Sequence, residues 1–235
     1  MPSDISRAFL GGRGIGSWLM SACPGLNPLD EQAPLIFSTG PLTGSRIPSS
    51  DRMVISAFSP LTNTVCSASV GGGLGLALKR AGIDLVHISG RSEEPVLLVI
   101  DGGQVSFERY DLPPDTPVSG IFDRLRRMKG SAAVAGRAAF EGCRYASVMV
   151  DGTFASGRGG LGLVMASKNL RAVVVRGKGG FESCDPAGEE NARRDIIRLF
   201  DASPAITGRS GIKHYGTSTL VDLMASRRMM PTANF

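Results

Sequence analysis

Residues Gly72–Gly90 read GGLGLALKRAGIDLVHISG and align without a gap with Gly159–Gly177, which read GGLGLVMASKNLRAVVVRG. Each segment opens on GGLGL, continues with apolar residues at helical spacing and ends in a β-branched run closed by glycine. Upstream of the two segments, Arg52–Phe58 and Arg144–Val150 are Arg-led apolar runs that predict strands. One plan of strand, glycine-rich turn, helix and strand is therefore used twice, which predicts a duplicated α+β fold.

The duplication also predicts how the chain is divided. Two halves, about residues 1–110 and 111–202, would form one domain with mixed sheets, the halves being related by a pseudo-two-fold axis. A site between two such halves would suit a ligand made of two like parts. Residues 203–211 are typical of a linker, so residues 203–235 would hold this linker and the start of a following helical domain.

Periodicity and turn signals place the remaining elements. Asp101-Gly102-Gly103 predicts a hairpin turn between two strands. Asp185 and Pro186 are residue types that favour the cap and the first position of a helix. Further strands are predicted at residues 35–39, 96–100, 104–107 and 132–135, and helices at residues 15–22, 121–128, 186–202 and 219–226.

Composition limits the classes of protein to which the chain can belong. With 42% hydrophobic residues among 235, the chain can bury a core, and it contains no run of eighteen apolar residues. We therefore expect a cytoplasmic protein without a membrane span. The cysteines are far apart and form no CxxC pair, so they are not expected to hold a metal or an iron–sulfur cluster. They are Cys23, Cys66, Cys143 and Cys184.

The net charge of +5 raises the question of a nucleic-acid partner. The densest basic cluster is FDRLRRMKG at Phe122–Gly130, where Ile121, Leu125 and Met128 recur at helical spacing. That spacing is typical of an amphipathic helix whose charges form a solvated face. No aromatic side chains alternate with the charges to stack on bases. The sequence therefore predicts an anionic small molecule, and not a nucleic acid, as the partner.

The second glycine cluster, GRGGLG at Gly157–Gly162, satisfies the G-x-G-x-x-G pattern of dinucleotide-binding loops. However, residues 151–156 separate it from the preceding strand, and the next strand ends in Arg176 where such loops need an acidic residue. Successive glycine amides can instead form an anion-binding concavity, in which Arg158 could pair with a phosphate. Two alternatives stay open: a nucleotide-binding enzyme that uses this loop, and a non-catalytic module that docks a protein through its charged helices.

Longer motifs resemble the amino-terminal domain of the tungsten-containing aldehyde:ferredoxin oxidoreductase family. In the first half they are GPLTGSRIPSSDR (Gly40–Arg52), SPLTN (Ser59–Asn63) and SVGGGLGLALKRAG (Ser69–Gly82). GRGGLGLVMASKNLRAVVVRG (Gly157–Gly177) and YGTSTLVDLMASRRMMPTANF (Tyr215–Phe235) follow. These motifs keep the family's order across nearly the whole chain, which makes the resemblance more specific than any single glycine pattern.

The resemblance implies two related α+β halves that form a base for a tungsten ion chelated by two pterin dithiolenes. The pterin phosphates would be held by the two glycine loops, and a magnesium ion would bridge them through the backbone carbonyls of Ser69 and Ala155. The tungstopterin-binding positions that the resemblance carries over are Arg52, Ser69, Gly71, Ala155, Gly157 and Arg158.

The activity implied by the resemblance is oxidation of aldehydes to carboxylic acids with ferredoxin as acceptor. In the family, the ligands of the 4Fe-4S cluster and the acid and base residues of the metal pocket lie beyond the point matched by Phe235. We therefore expect this chain to bind the cofactor without catalysing, to be oligomeric, and to require a partner subunit if the enzyme is split. At a position where the family often has arginine, this chain has Phe154, which cannot donate to a phosphate.

Overall fold

The computed structural model describes residues 3–230, which divide into two compact units. Within the described residues, the first unit combines residues 3–45 with Ser49–Glu182, and the second combines Arg46–Pro48 with residues 183–230. The strands, all in the first unit, are β1 (Leu35–Ser38), β2 (Met53–Phe58), β3 (Val65–Val70), β4 (Leu85–Ile88), β5 (Val96–Asp101), β6 (Gln104–Arg109), β7 (Ser131–Ala135), β8 (Val148–Val150), β9 (Phe154–Ala155) and β10 (Leu170–Arg176). The helices of the first unit are α1 (Ser3–Phe9), α2 (Gly12–Ser21), α3 (Leu74–Arg80), α4 (Val118–Leu125), α5 (Arg137–Phe140) and α6 (Leu161–Ser167).

The first sheet has the order β3-β2-β1-β4 and is antiparallel throughout. Its central strand β1 has all four residues buried, because α2 covers one face and the main core covers the other. On the α2 side, Met20 packs with Ile36 and Phe58. On the opposite side, Leu35 and Phe37 enter the main core. The alternation of the side chains along β1 thus serves two hydrophobic clusters.

The second sheet has the order β6-β5-β10-β7-β8-β9, with β10 parallel to β5 and the other pairs antiparallel. Strand β10 lies inside this sheet and is buried on both faces, as its continuous apolar run requires. Val173 and Val175 enter the main core with α3 and α6, while Ala172 and Val174 face a second cluster formed with α4. The α+β class predicted from the sequence is confirmed.

The repeat in the sequence is reproduced by the structure. Helices α3 and α6 each have seven residues and begin two residues after Gly72 and Gly159, respectively. These two glycines occupy the same unusual region of backbone conformation, with φ of +91° and +94°. A side chain at either position would be strained, so the repeated glycines serve the same turn before the same helix. Each helix is followed by a strand, β4 or β10.

Several predicted elements are confirmed with shifted ends. The hairpin β5–β6 turns at Gly102 and Gly103, both with positive φ, as the Asp-Gly-Gly signal predicts. The helix predicted at residues 15–22 begins earlier, at Gly12. The helix predicted at residues 121–128 is α4, which begins at Val118 and continues as a 3-10 turn over Arg126–Met128.

Three predicted segments differ in detail from the structure. The strand expected at Arg144–Val150 is reduced to β8, since Arg144 lies in a turn and its guanidinium donates hydrogen bonds to the Pro60 carbonyl oxygen. The region treated as a linker contains the short helix α8 (Pro204–Thr207). The helix expected at residues 219–226 is a 3-10 turn over Gly216–Leu220 followed by α10 (Val221–Ser226).

The second unit is helical. Helix α7 (Pro186–Asp201) begins as predicted: the Asp185 carboxylate accepts a hydrogen bond from the Gly188 N–H at 2.9 Å, and Pro186 occupies the first turn. Helix α9 (Ile212–Tyr215) lies between α8 and α10. Several apolar side chains of this unit are exposed, among them Leu199, Ile212, Val221, Leu223 and Met229. Within residues 3–230 we find no helix with the length and apolarity needed to cross a bilayer.

We predict that Gly160→Ala lowers the free energy of unfolding of the first unit by about 2 kcal/mol or more. Gly160 has φ +70°, a conformation that costs a residue with a Cβ about 1 to 2 kcal/mol. The added Cβ would also overlap the carbonyl oxygen of Arg144. The measurement is urea unfolding followed by the fluorescence of Trp18, the only tryptophan, which lies in the first unit.

The matched control is Gly180→Ala, also in the first unit. An added Cβ there would meet no atom within 4 Å, and φ is not positive. We expect its unfolding free energy to stay within about 0.5 kcal/mol of the wild type. Equal losses in both variants would contradict the account of the Gly160 turn.

Candidate cofactor-binding site

Arg52 and Ser69 meet across the β2–β3 hairpin. Arg52 Nε donates to Ser69 Oγ at 2.9 Å, and Arg52 Nη2 donates to the Ser69 carbonyl oxygen at 3.1 Å. Both residues are exposed. The hairpin register, which pairs Val54 with Ser69, brings the end of β3 next to the residue before β2. The two hydrogen bonds fix the direction of an exposed guanidinium, while the second lone pair of the Ser69 carbonyl can still accept.

The first glycine loop is covered by the hairpin β8–β9 of the second half. A Cβ on Gly71 would lie 2.8 Å from Phe154 Cδ1, and one on Gly72 would lie 2.8 Å from Val150 Cγ1. Only glycine allows so close an approach. Phe154 itself keeps 44% of its surface exposed. The structure therefore brings Gly71 next to the segment that contains Phe154 and Ala155, although these residues are far apart in the sequence.

The Asp151 carboxylate holds this contact in place. Its oxygens accept hydrogen bonds from the Gly73 N–H at 2.6 Å, from Ser131 Oγ at 2.7 Å and from the Ala132 N–H at 2.9 Å. Asp151 also has φ +50°, in the left-handed region of backbone conformation. One carboxylate thus joins the first glycine loop, strand β7 and the β8–β9 turn. Sequence reasoning missed this residue, because its partners are distant in the chain and no local motif marks it.

The second glycine loop has a similar relation to the first half. A Cβ on Gly159 would overlap Cys66 Sγ, which belongs to β3. The Arg158 carbonyl oxygen lies 4.0 Å from the same sulfur atom, and the Gly157 carbonyl accepts a hydrogen bond from Ser147 Oγ at 2.7 Å. Burial raises the pKa of the Cys66 thiol, an effect partly opposed by the charge of Arg13. Each glycine loop is therefore packed against the opposite half.

The six predicted binding positions lie at the surface, five of them exposed and Gly71 half-buried. Ser69 and Gly71 lie next to the hairpin that ends in Ala155, while Gly157 and Arg158 follow it. The Arg158 side chain has no hydrogen-bonding partner within the described part of the chain. Whether the two loops share one cavity stays a prediction.

The chemistry of these positions fits a phosphate-bearing cofactor with a hard metal ion. Exposed guanidinium groups bind phosphates, and backbone carbonyl oxygens such as those of Ser69 and Ala155 are ligands of the type that Mg²⁺ accepts. In residues 3–230 no group of three or more His, Cys, Asp or Glu side chains is placed to hold a metal ion.

Fold and site together define a duplicated α+β domain in which two glycine loops and two exposed arginines occupy adjoining surfaces. The model of the aldehyde ferredoxin oxidoreductase N-terminal domain matches residues 1–177. The chain therefore belongs to the aldehyde ferredoxin oxidoreductase family, as its motifs predict.

The chain is similar to two curated proteins and to one solved structure. A tungsten-containing aldehyde ferredoxin oxidoreductase of Pyrococcus abyssi is 35% identical over 238 residues, which cover 99% of this chain and 39% of the relative. The WOR-like subunit of an aliphatic sulfonate oxidoreductase of Pyrococcus furiosus is 31% identical over 76% of this chain and 32% of its own length.

The third is a solved structure, the active-site complex BamBC of benzoyl coenzyme A reductase in complex with 1,5-dienoyl-CoA. It superimposes with a TM-score of 0.79 at 27% identity, covering 88% of this chain and 33% of that chain. The present chain spans about two fifths of the length of the Pyrococcus abyssi relative.

We predict that Asp151→Ala destabilises the first unit by about 2 kcal/mol, because it removes a charged acceptor from three donors at once. Unfolding in urea, followed by Trp18 fluorescence, measures the loss. Asp123→Ala is the matched control, since the Asp123 carboxylate is exposed and its ion pair is with Arg126, three residues away in the same helical segment. The control should change stability by less than about 0.5 kcal/mol. A loss in Asp151→Ala no larger than in the control would show that the carboxylate does not hold the two halves together.

Proposed function

We propose that this chain is the tungstopterin-binding domain or subunit of an oxidoreductase that oxidises aldehydes to carboxylic acids with ferredoxin as electron acceptor. The observation that carries the proposal is the reciprocal packing of the two glycine loops. Each loop lies against the opposite half, with Arg52 near one loop and Arg158 in the other. A cofactor with two phosphate-bearing pterins would offer one phosphate group to each of the two loops. Membership of the family supports the same assignment.

In this proposal each half contributes one set of binding groups. Arg52, Ser69 and Gly71 serve one pterin, and Ala155, Gly157 and Arg158 serve the other. The carbonyl oxygens of Ser69 and Ala155 would hold a magnesium ion beside the pterin phosphates. The bound metal and pterins supply the redox chemistry of aldehyde oxidation, while the protein supplies binding and electrostatics. In this proposal, the ligands of the 4Fe-4S cluster would come from outside this chain. The residues that form the aldehyde pocket would come from outside it as well.

The two halves hold their pterins through different contacts. On the first side, Arg52 is oriented by its two hydrogen bonds to Ser69. On the second side, Phe154 lies where the family often has arginine, and its ring covers Gly71 instead of donating hydrogen bonds. Arg158 is then the cation closest in sequence to the second set of ligands. We infer that retention of the second pterin depends on Arg158 more than it would in relatives that have arginine at position 154.

Arg158→Ala should weaken binding of the phosphate-bearing pterin by about 1.5 to 3 kcal/mol, the range for hydrogen bonds to charged groups. The chain is produced in a host that makes tungstopterin or molybdopterin. Bound pterin is then released, oxidised and measured by fluorescence, and bound metal is measured by mass spectrometry. Arg52→Ala should show a loss of the same order.

Two variants sharpen the test. Arg126→Ala removes an exposed arginine that is paired with Asp123 and lies outside the proposed site, so its pterin content should match the wild type. Phe154→Arg combined with Arg158→Ala should recover part of the lost pterin, because it restores a guanidinium beside Ala155. Wild-type pterin content in Arg158→Ala, or an equal loss in Arg126→Ala, would refute the assignment of Arg158. Absence of pterin from the wild-type chain would refute the proposed function itself.

A further inference from the structure

A cavity with a volume of about 560 Å³ lies in the first unit, beside Gly73 of the first glycine loop. One wall is the face of α3 that carries Leu76, Ala77 and Arg80. The opposite wall is formed by the turn over residues 127–131 and by the end of β10 with the residues that follow it. Its volume falls within the range of small-molecule sites, about 300 to 1,000 Å³.

The charge of this cavity is strongly one-sided. Five basic side chains and one carboxylate line it, and the carboxylate is already paired, since Asp101 Oδ2 lies 3.1 Å from Arg176 Nη2. Arg176 Nη1 also donates to the Met128 carbonyl oxygen at 3.2 Å. The remaining cations have no hydrogen-bonding or ion-pair partner within the described residues. These four are Arg80, Arg127, Lys129 and Lys178.

The four cations converge from three separate segments that are fixed to one another. A Cβ on Gly130, next to Lys129, would lie 2.7 Å from the Val175 carbonyl oxygen, so the turn is pressed against β10. The Gly179 N–H donates to the Arg80 carbonyl oxygen at 2.8 Å, which ties the residue after Lys178 to the end of α3. The backbone therefore brings four residues with exposed positive side chains to the rim of one space, and a concentration of like charge of this kind attracts anions.

We propose that this cavity binds a small molecule bearing a diphosphate or triphosphate group. Four uncompensated positive charges match the three to four negative charges of such a group, whereas a single carboxylate would leave most of them uncompensated. Arginine binds phosphate oxygens in pairs, and lysine adds a mobile point charge. The sequence predicts that the basic residues of Phe122–Gly130 form the solvated face of a helix. In this proposal two of them, Arg127 and Lys129, line a binding site instead.

The cavity is distinct from the proposed cofactor site. None of the six positions assigned to pterin or magnesium lines it. The nearest shared element is Gly73, whose N–H is already used by the Asp151 carboxylate. Binding of a polyphosphate in the cavity therefore does not depend on the proposed function.

Isothermal titration calorimetry of the 235-residue chain with inorganic tripolyphosphate and with pyrophosphate tests this proposal. We expect saturable binding of one equivalent. Arg80→Gln, Arg127→Gln and Lys178→Gln should each weaken it about tenfold, the effect of removing one hydrogen bond to a charged group. Arg126→Gln changes the residue next to Arg127, does not line the cavity and is paired with Asp123, so it should bind like the wild type.

Arg158→Gln removes the cation of the second glycine loop and so separates binding in the cavity from binding of phosphate at the glycine loops. Binding that is lost in Arg158→Gln but kept in the cavity variants would overturn the proposal and assign the phosphates to the glycine loops. Equal weakening in Arg126→Gln and Arg127→Gln would overturn it by showing attraction to the basic surface as a whole. Absence of wild-type binding at millimolar tripolyphosphate would overturn it outright. Circular dichroism of each variant confirms that the fold is retained.

Discussion

The hydrogen bonds that the Asp151 carboxylate accepts from three donors are the contact on which the proposed site depends. They join the N–H of Gly73 in the first half to strand β7 and the β8–β9 turn in the second. Hydrogen bonds to a charged acceptor contribute more to stability than those between neutral groups. Because Gly71 and Gly72 lie directly beside that turn, the position of the first glycine loop follows from this contact. The second loop is fixed differently, by close packing of Gly159 on Cys66.

Duplication has thus produced two loops with the same backbone and different surroundings. Gly72 and Gly159 agree in φ to within a few degrees, and α3 and α6 have the same length. The arginines that precede β2 and β8 have nevertheless diverged. Arg52 is held by Ser69, whereas the Arg144 guanidinium is bonded to the Pro60 carbonyl. A symmetric cofactor bound to such a domain would meet unequal contacts on its two sides.

Buried and exposed positive charges of this chain have different surroundings. Arg171 lies within β10 and is only 2% exposed, yet its guanidinium is 3.6 Å from the centre of the Phe140 ring and 4.8 Å from that of Tyr110. Cation–π attraction partly compensates for the loss of water, while burial still lowers its pKa. The cations around the cavity beside α3 are, by contrast, exposed and have no partner among the described residues, with the exception of Arg176. The buried charge serves the fold, whereas the exposed group is arranged as a ligand site would be.

The sequence by itself determined the fold class, the family and the repeat, because these depend on local patterns. The glycines before α3 and α6, the cap at Asp185 and the turn at Gly102 all act within a few residues of chain, so their consequences are visible in the sequence. The sequence also predicted the glycine loops and the arginines of the candidate site, because its motifs resemble those of the family. Membership of that family is confirmed by the match over residues 1–177.

Only the tertiary structure decided which distant residues meet. The role of Asp151, the contact of Phe154 with Gly71 and the cavity lined by Lys129 join segments that no sequence spacing connects. The strand predicted at Arg144–Val150 is likewise shorter in the structure, where Arg144 lies in a turn and its guanidinium donates to the Pro60 carbonyl of the other half. Packing between halves is a sum of many weak, non-local interactions, and its outcome overrides local preference wherever the two compete.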